Sequence, residues 1–296
     1  MAWTLTGDVA EYLAQAGGYL RASAEEHTVE LGVTERLRAS GPSAYGTPPP
    51  LFGWWHSPGG DIAAVVLHTP PYPALLSGAT AAAAPLATEL AARRRALPGI
   101  NGPAGAVTSF AAAWERLTGA SSTVHRRSRL FRLGDLAVPE PLPPGVARIA
   151  GQADSSLLTD WFVAFASETS EQAGAVAVRD MADRLSYGGL MIWEAGGLPV
   201  AMAGRTRPAA GVARVGPVYT LPGQRRRGYG GAATVAVTQA ALDDGAASVV
   251  LFTNLANPTS NALYVRLGYR PLSDRLLLNF EAASDLQMRR LRPAST

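Results

Sequence analysis

The chain has 296 residues, 47 % of them hydrophobic and 17 % charged, with a formal net charge of +3; this places it among globular chains and is too weak a basic excess to argue for nucleic acid. It contains no cysteine and no lysine, which excludes disulfides, thiolate metal sites, a cysteine nucleophile, a Schiff-base lysine and a Walker-type phosphate loop. No apolar run reaches the ~18 residues of a membrane helix, and "MAWTLTGDVAEYLAQ" lacks the basic start and apolar core of a signal peptide, so a cytoplasmic protein is expected.

In chain order, a helical region is predicted over Asp8–Ser40, then a hairpin of "PLFGWWH" and "DIAAVVLHT" around "SPGG". "YPALLSG" reads as a strand, "TAAAAPLATELAARRRAL" as a helix, "PGINGPAG" as a loop, "AVTSFAAAWERLTG" as a helix and "STVHRRSRLFRL" as a strand. Pro139, Pro141, Pro143 and Pro144 exclude a helix or central strand, so residues 138–145 read as a linker.

Beyond it, "VARIA" is a strand. "SSLLTDWFVAFASET", with Asp154 or Ser155 as its N-cap, and "EQAGAVAVRDMADRL" are helices. "GLMIWEAGGLPVAMAGRTR" is two strands around Gly-Gly, and "GVARVGPVYT" is a third. A helix follows over Tyr229–Asp244, capped by Gly245. "ASVVLFTNL" is a buried-type strand, "PTSNALYVRLG" a helix starting at Thr259 or Ser260, and "LSDRLLLNF" a closing strand. The order β-α-α-β-β-β-α-β-α-β implies an α/β fold, a mixed sheet with helices on its faces. The first half repeats this order from its hairpin onward, which points to two copies of one fold.

Chemistry concentrates in "YTLPGQRRRGYGGAAT". The first amides of a helix lack helical acceptors, the helix dipole adds positive charge there, and glycines let an anion approach the backbone. Gly228-x-Gly230-x-x-Ala233 formally matches a dinucleotide fingerprint, but the loop after the strand is long and the next strand ends without an acid. A pyrophosphate loop of another type, Arg225-Arg226-Arg227-Gly228-Tyr229-Gly230, is the remaining reading. The first copy has no counterpart, since "LLSGATAAAAP" holds one glycine and no arginine.

This stretch resembles motif A of the GNAT superfamily of N-acetyltransferases, (Gln/Arg)-x-x-Gly-x-(Gly/Ala) after a strand. "NLANPTSNALYVRLGYRP" is similar to the superfamily's second signature, an Asn, then a helix carrying a Tyr, then Leu-Gly-Tyr. The two cover residues 146 to 280. The layout is similar to actinobacterial two-lobe GNAT proteins, which implies a degenerate copy over residues 1–137, the linker 138–145 and a catalytic domain over 146–296.

The resemblance implies acetyl-CoA as cosubstrate. Val218, Tyr219 and Thr220 would pair with the pantetheine arm, the amides of Arg226, Arg227, Gly228, Tyr229 and Gly230 would cradle the pyrophosphate, and Arg225 would open the loop. Asn257 and Asn261 would contact the cofactor, and Tyr264 would protonate the departing thiolate. Arg226 and Arg227 side chains facing solvent, Asn261 as an exposed helix residue and Tyr264 as a core tyrosine are the alternatives. Glu168 is the candidate general base, with Glu194 behind it. Trp54, Trp55 and His56 are candidates for an acceptor wall or for packing. His27, His56, His68 and His125 have no ligand spacing, so no metal is expected. The implied activity is acetyl transfer to a primary amine of a small molecule or peptide, by a monomer or homodimer with no nucleic-acid or membrane partner. A catalytically silent CoA-binding regulatory or scaffold protein is the alternative.

Overall fold

The computed structural model describes residues 2–169 and 175–282. The first half contains β1 (Trp3–Thr6), α1 (Val9–Ala22), α2 (Thr28–Ser40), β2 (Leu51–His56), β3 (Ile62–His68), β4 (Ala74–Gly78), α3 (Ala83–Ala92), β5 (Gly99–Pro103), α4 (Ala104–Thr118) and β6 (Ser121–Leu133). The second contains β7 (Val146–Ile149), α5 (Ser155–Thr169), α6 (Ala175–Leu185), β8 (Leu190–Ala195), β9 (Leu198–Arg205), β10 (Val212–Thr220), α7 (Tyr229–Asp243), β11 (Ser248–Asn254), α8 (Pro258–Arg266) and β12 (Tyr269–Glu281). Each half therefore runs β-α-α-β-β-β-α-β-α-β. The repeat spans the whole first half, further than its hairpin-onward reading.

Four local differences separate this from the sequence reading. Trp3–Thr6 is a strand, anchored by Trp3 Nε1 donating to Ala82 O at 2.8 Å. The helical region divides, because α1 ends at Ala22 and α2 begins at Thr28. "GINGP", read as part of a loop, is β5. Its glycines are required by close backbone approach: a Cβ at Gly99 would lie 2.2 Å from Leu278 O, and one at Gly102 2.2 Å from Leu76 O. Finally, α8 is capped by Asn257, with Pro258 in its first turn, rather than by Thr259 or Ser260.

The described residues form two compact units. One comprises the chain up to Arg129, Asn254–Ala256 and the chain from Ser273; the other comprises Leu130–Thr253 and Asn257–Leu272. In the first unit the strand order is β1-β2-β3-β4-β5-β12, with β4 and β5 parallel (Ala74↔Ile100) and β12 antiparallel to β5 (Leu278↔Ile100). Its core packs Leu76, Leu86, Leu90, Ile100, Phe110 and Trp114.

In the second unit the order is β11-β10-β9-β8-β7. One face of the sheet packs Tyr229, Ala233, Val237, Leu251, Leu267 and Tyr269. Another cluster gathers Leu158, Trp161, Phe162, Ile192 and Tyr219. The proline segment lies wholly within this unit and is tied to it. Ala137 N–H donates to Leu267 O at 3.1 Å, and Trp193 Nε1 to Pro144 O at 3.2 Å. Prolines end regular structure, but they do not by themselves separate domains.

The two copies diverge where chemistry would sit. α3 begins Ala83-Ala84-Pro85 where α7 begins Tyr229-Gly230-Gly231, so a side chain or a missing N–H replaces each glycine. Tyr264 lies six residues after the start of α8, and Phe110 six after the start of α4. The first copy thus has a phenyl ring where the second has a phenol.

Candidate functional site

The parallel ladder between β10 and β11 pairs Val212–Val215 with Ser248–Leu251, and β10 continues to Thr220. Past Val215 a gap opens between two strands that began as neighbours. Leu221 N–H donates to Val200 O at 3.1 Å, and Tyr219 stands opposite Met202. Backbone groups alternate in direction along a strand, so those of Val218 and Thr220 turn away from β9 and into the gap. The Tyr219 side chain is buried against Trp161, ring centroids 5.9 Å apart.

The chain then makes one short turn over Pro222–Gln224 and enters α7. Arg226 has φ +63 and Gly228, the N-cap, φ +85. The first helical bond is Ala232 N–H to Gly228 O at 3.0 Å, so the amides of Tyr229, Gly230 and Gly231 have no helical acceptor. A Cβ at Gly230 would stand 3.0 Å from Thr220 Oγ1, and one at Gly231 3.1 Å from Leu263 Cδ1. These glycines bring the start of α7 close to the end of β10 and to α8. Free amides at a helix start can bind an anion such as a diphosphate, and strand groups beyond the end of a ladder can pair with an extended polar arm. The Tyr229 side chain is buried in the core, so only its backbone belongs to this turn.

Arg225 fixes the turn. Its Nε donates to Thr220 O at 3.0 Å, and its Nη2 donates to both Glu168 oxygens at 2.7 Å. Its guanidinium also stands 5.8 Å from the centroid of the Tyr219 ring. Glu168, the candidate base, is therefore in contact with the turn before α7 through an exposed ion pair. Arg226 and Arg227 are exposed. Glu194 accepts from Arg148 Nε at 2.8 Å, while Arg148 also grips Asp154 with two bonds at 2.7 Å. That pairing with Asp154, and then with Glu194, raises the Arg148 pKa, and the same Arg148 bonds hold the Asp154 carboxyl below its usual range.

The second signature brings Asn257, Asn261 and Tyr264 onto α8. Asn257 Oδ1 accepts Ser260 N–H at 3.0 Å, and Asn257 O accepts Asn261 Nδ2 at 2.8 Å. The Asn257 carboxamide is thus engaged as a helix cap. Tyr264 is 8 % exposed, and burial pushes its phenol up to about 12. Among the described residues its hydroxyl has no hydrogen-bond partner, whereas that of Tyr269, 6.1 Å away ring to ring, is bonded to Thr238 Oγ1 at 2.7 Å. Leu263, one residue before Tyr264, lies against Gly231, and Tyr264 shares a buried cluster with Tyr229 of α7.

Other candidates lie elsewhere. Trp54 and Trp55 are each 4 % exposed in the first unit, Trp55 within its core, and His56 is half-buried. Among the described residues no group of three or more His, Asp or Glu side chains is placed to hold a metal ion, and no helix is long and apolar enough to cross a membrane. One residue escaped the sequence reading: Arg184 on α6, whose Nη1 donates to Gly216 O in β10 at 2.6 Å. It has no local signature, because its partner is a backbone carbonyl 32 residues away.

Residues 156–269 match the model of the acetyltransferase (GNAT) family. Among solved structures, the chain is similar to a Drosophila protein (14 % identity, TM-score 0.64, covering 95 % of this chain and 99 % of that one). It is also similar to a GCN5-related N-acetyltransferase from Sphaerobacter thermophilus (16 %, TM-score 0.57, 95 % and 96 %). A third similar structure is a tandem GNAT protein from the clavulanic acid biosynthesis pathway (15 %, TM-score 0.53, 95 % and 98 %). None of the curated proteins matches the chain. The family is one of acyltransferases that draw on acyl-CoA and bind an acceptor.

Proposed function

Residues 156–269 form an acetyltransferase domain of the GNAT family, and on that premise we propose that the chain transfers an acetyl group from acetyl-CoA directly to a primary amine of a small molecule or peptide. What supports this reading is the end of the β10–β11 ladder at Val215, followed along the chain by the amide-lined start of α7, with Tyr264 in the buried cluster that α7 joins. Residues 1–137 are read as a degenerate copy, since Pro85 and Phe110 replace Gly231 and Tyr264 at matching helical positions.

In this reading the backbone groups of Val218 and Thr220 hold the pantetheine arm as an added strand would. The amides from Arg226 to Gly230 hold the diphosphate. Bound acetyl-CoA supplies a thioester carbonyl for amine attack and a thiolate leaving group. Tyr264 stays a neutral phenol across the physiological range, because burial disfavours its phenolate. It donates a hydrogen bond to the developing thiolate. A thiol of ordinary pKa, ~8.5, is a stronger acid than this phenol. Tyr264 therefore passes its proton on only as it recovers one from the amine nitrogen, and ends neutral. Where the acceptor arrives as an ammonium, Glu168 takes its first proton through water before attack, and the second proton, released as the amide forms, is the one Tyr264 recovers; the link of Glu168 to Arg225 also gives it a part in holding the loop.

Calorimetric titration with acetyl-CoA, followed by an amine panel assayed for thiol release, tests the reading. Acetyl-CoA is expected to bind with a dissociation constant below about 1 mM. Gly228→Val should weaken it, because a β-branched residue is strained at φ +85. Absence of binding to the wild type would sink the cofactor assignment. Binding without turnover on any amine would leave a silent CoA-binding protein.

Arg226→Gly provides a finer check on the cradle. Arg226 occupies the left-handed region at φ +63, which costs about 1–2 kcal/mol for a side-chain-bearing residue; glycine removes that strain but adds unfolded-state entropy. Thermal stability is expected to stay within about 1 kcal/mol of the wild type. Acetyl-CoA affinity should be retained, since only the backbone N–H is used. A large loss of affinity would assign the phosphate contact to the guanidinium instead.

A further inference from the structure

β10 carries one irregularity, and it decides which backbone groups face the cofactor gap. Arg214 faces β9: its O accepts Thr206 N–H at 2.9 Å, and its N–H donates to Thr206 Oγ1 at 3.0 Å. Regular alternation from there would turn residues 216, 218 and 220 toward β9. Pro217 and Tyr219 would then face the gap, and proline has no N–H to offer. Instead the register shifts between Val215 and Val218, a bulge. After it, Tyr219 and Leu221 face β9, and Val218 and Thr220 face the gap.

A bulge removes ladder partners from the backbone groups within it. The Gly216 carbonyl is one such group, and it accepts Nη1 of Arg184 at 2.6 Å. Arg184 belongs to the last turn of α6, is 8 % exposed, and has Asp180 Oδ2 at 3.8 Å from its Nη2. The neighbouring strand is shaped for it. A Cβ at Gly204 on β9 would lie 3.3 Å from Arg184 Nη1 and 3.1 Å from Gly216 O, so glycine leaves room for the guanidinium and the carbonyl to meet.

We propose that Arg184 is a positioning residue that holds the β10 bulge and thereby presents the Val218 and Thr220 backbone groups to the pantetheine arm of acyl-CoA. It rests on the cofactor reading above. Arg184 acts through its bond to the Gly216 carbonyl.

The test compares two ligands that share the diphosphate. Acetyl-CoA uses both the gap and the cradle, whereas 3′-phospho-ADP, the nucleotide end of CoA, uses the cradle alone. Arg184→Met leaves the Gly216 carbonyl without its donor, and its dissociation constant for acetyl-CoA is expected to rise about tenfold. Its affinity for 3′-phospho-ADP should be unchanged. Arg184→Lys, which can still reach one carbonyl, should recover most of the loss. In the unliganded protein, amide exchange of the Val212–Leu221 segment should quicken in Arg184→Met while that of α7 does not. Equal losses for both ligands, or none for either, would overturn the assignment while leaving the cofactor reading intact. A wild type that binds neither ligand would overturn the cofactor reading and this assignment with it.

Discussion

Replacing Tyr264 with phenylalanine is expected to lower kcat by about 10²- to 10⁴-fold, the range for loss of a positioned general acid, with little change in acetyl-CoA affinity. The substitution removes one oxygen and keeps the ring that packs in the core and stands 6.1 Å from Tyr269. No cavity follows, so folding stability should hold. The hydroxyl has no partner among the described residues, so its removal strands no buried donor or acceptor. The comparison is therefore clean, and a lower kcat reports chemistry rather than misfolding. The Tyr264 phenol, pushed up to about 12 by burial, is protonated at every pH below that value. Activity should thus rise as the acceptor amine loses its proton and should show no alkaline decline from this group until about pH 12. A kcat within threefold of wild type would make Tyr264 a packing residue, as Phe110 is in the first copy.

Much of the second half could be read locally. Its ten elements occur in the predicted order because each carries its own period and its own breaker, such as Gly196 and Gly197, both at positive φ between β8 and β9. The α7 turn was equally visible, since glycine and arginine at fixed spacing state what the backbone must do there. The two missed strands share one physical cause. β5 contains Gly99, Gly102 and Pro103, residues that disfavour strands in isolation. It is a strand because Leu76 and Leu278 approach so closely that only glycine fits. β1 likewise depends on pairing Trp3 with Trp55. For the candidate site, the sequence pointed to the α7 turn and α8 but not to the long-range bonds that hold them. Arg225 meets Glu168 across 57 positions, and Arg184 meets Gly216 across 32. Pattern and spacing report periodic faces and short motifs; a bond between two distant irregular points leaves neither.

The same limit hid the buried charge in the first unit, where the largest stability effect is expected. Glu30 on α2 is fully buried. Its Oε1 accepts Ser77 Oγ at 2.6 Å and lies 3.9 Å from His27 Nδ1 and 4.0 Å from Arg275 Nη1. Arg275 also donates to Glu26 O at 2.6 Å, so the start of α2 is bound to β12. Burial alone would raise the Glu30 pKa; the adjacent His27, the charge of Arg275 and the Ser77 hydroxyl outweigh it and hold the carboxyl at about 2. Glu30→Gln keeps the shape and the Ser77 bond but removes the negative charge that faces His27 and Arg275. Breaking a buried ion pair costs about 3–5 kcal/mol. The sign of the pH dependence follows from the depressed pKa. The stabilisation is complete above the ordinary value of 4.5 and is lost as the pH falls toward 2, an integral of roughly 3 kcal/mol. Urea unfolding of wild type and Glu30→Gln should therefore differ by about 3 kcal/mol at pH 7, and by roughly half that near pH 3. A difference that stays constant with pH would show that the glutamate acts through shape and the Ser77 hydrogen bond, not through its charge.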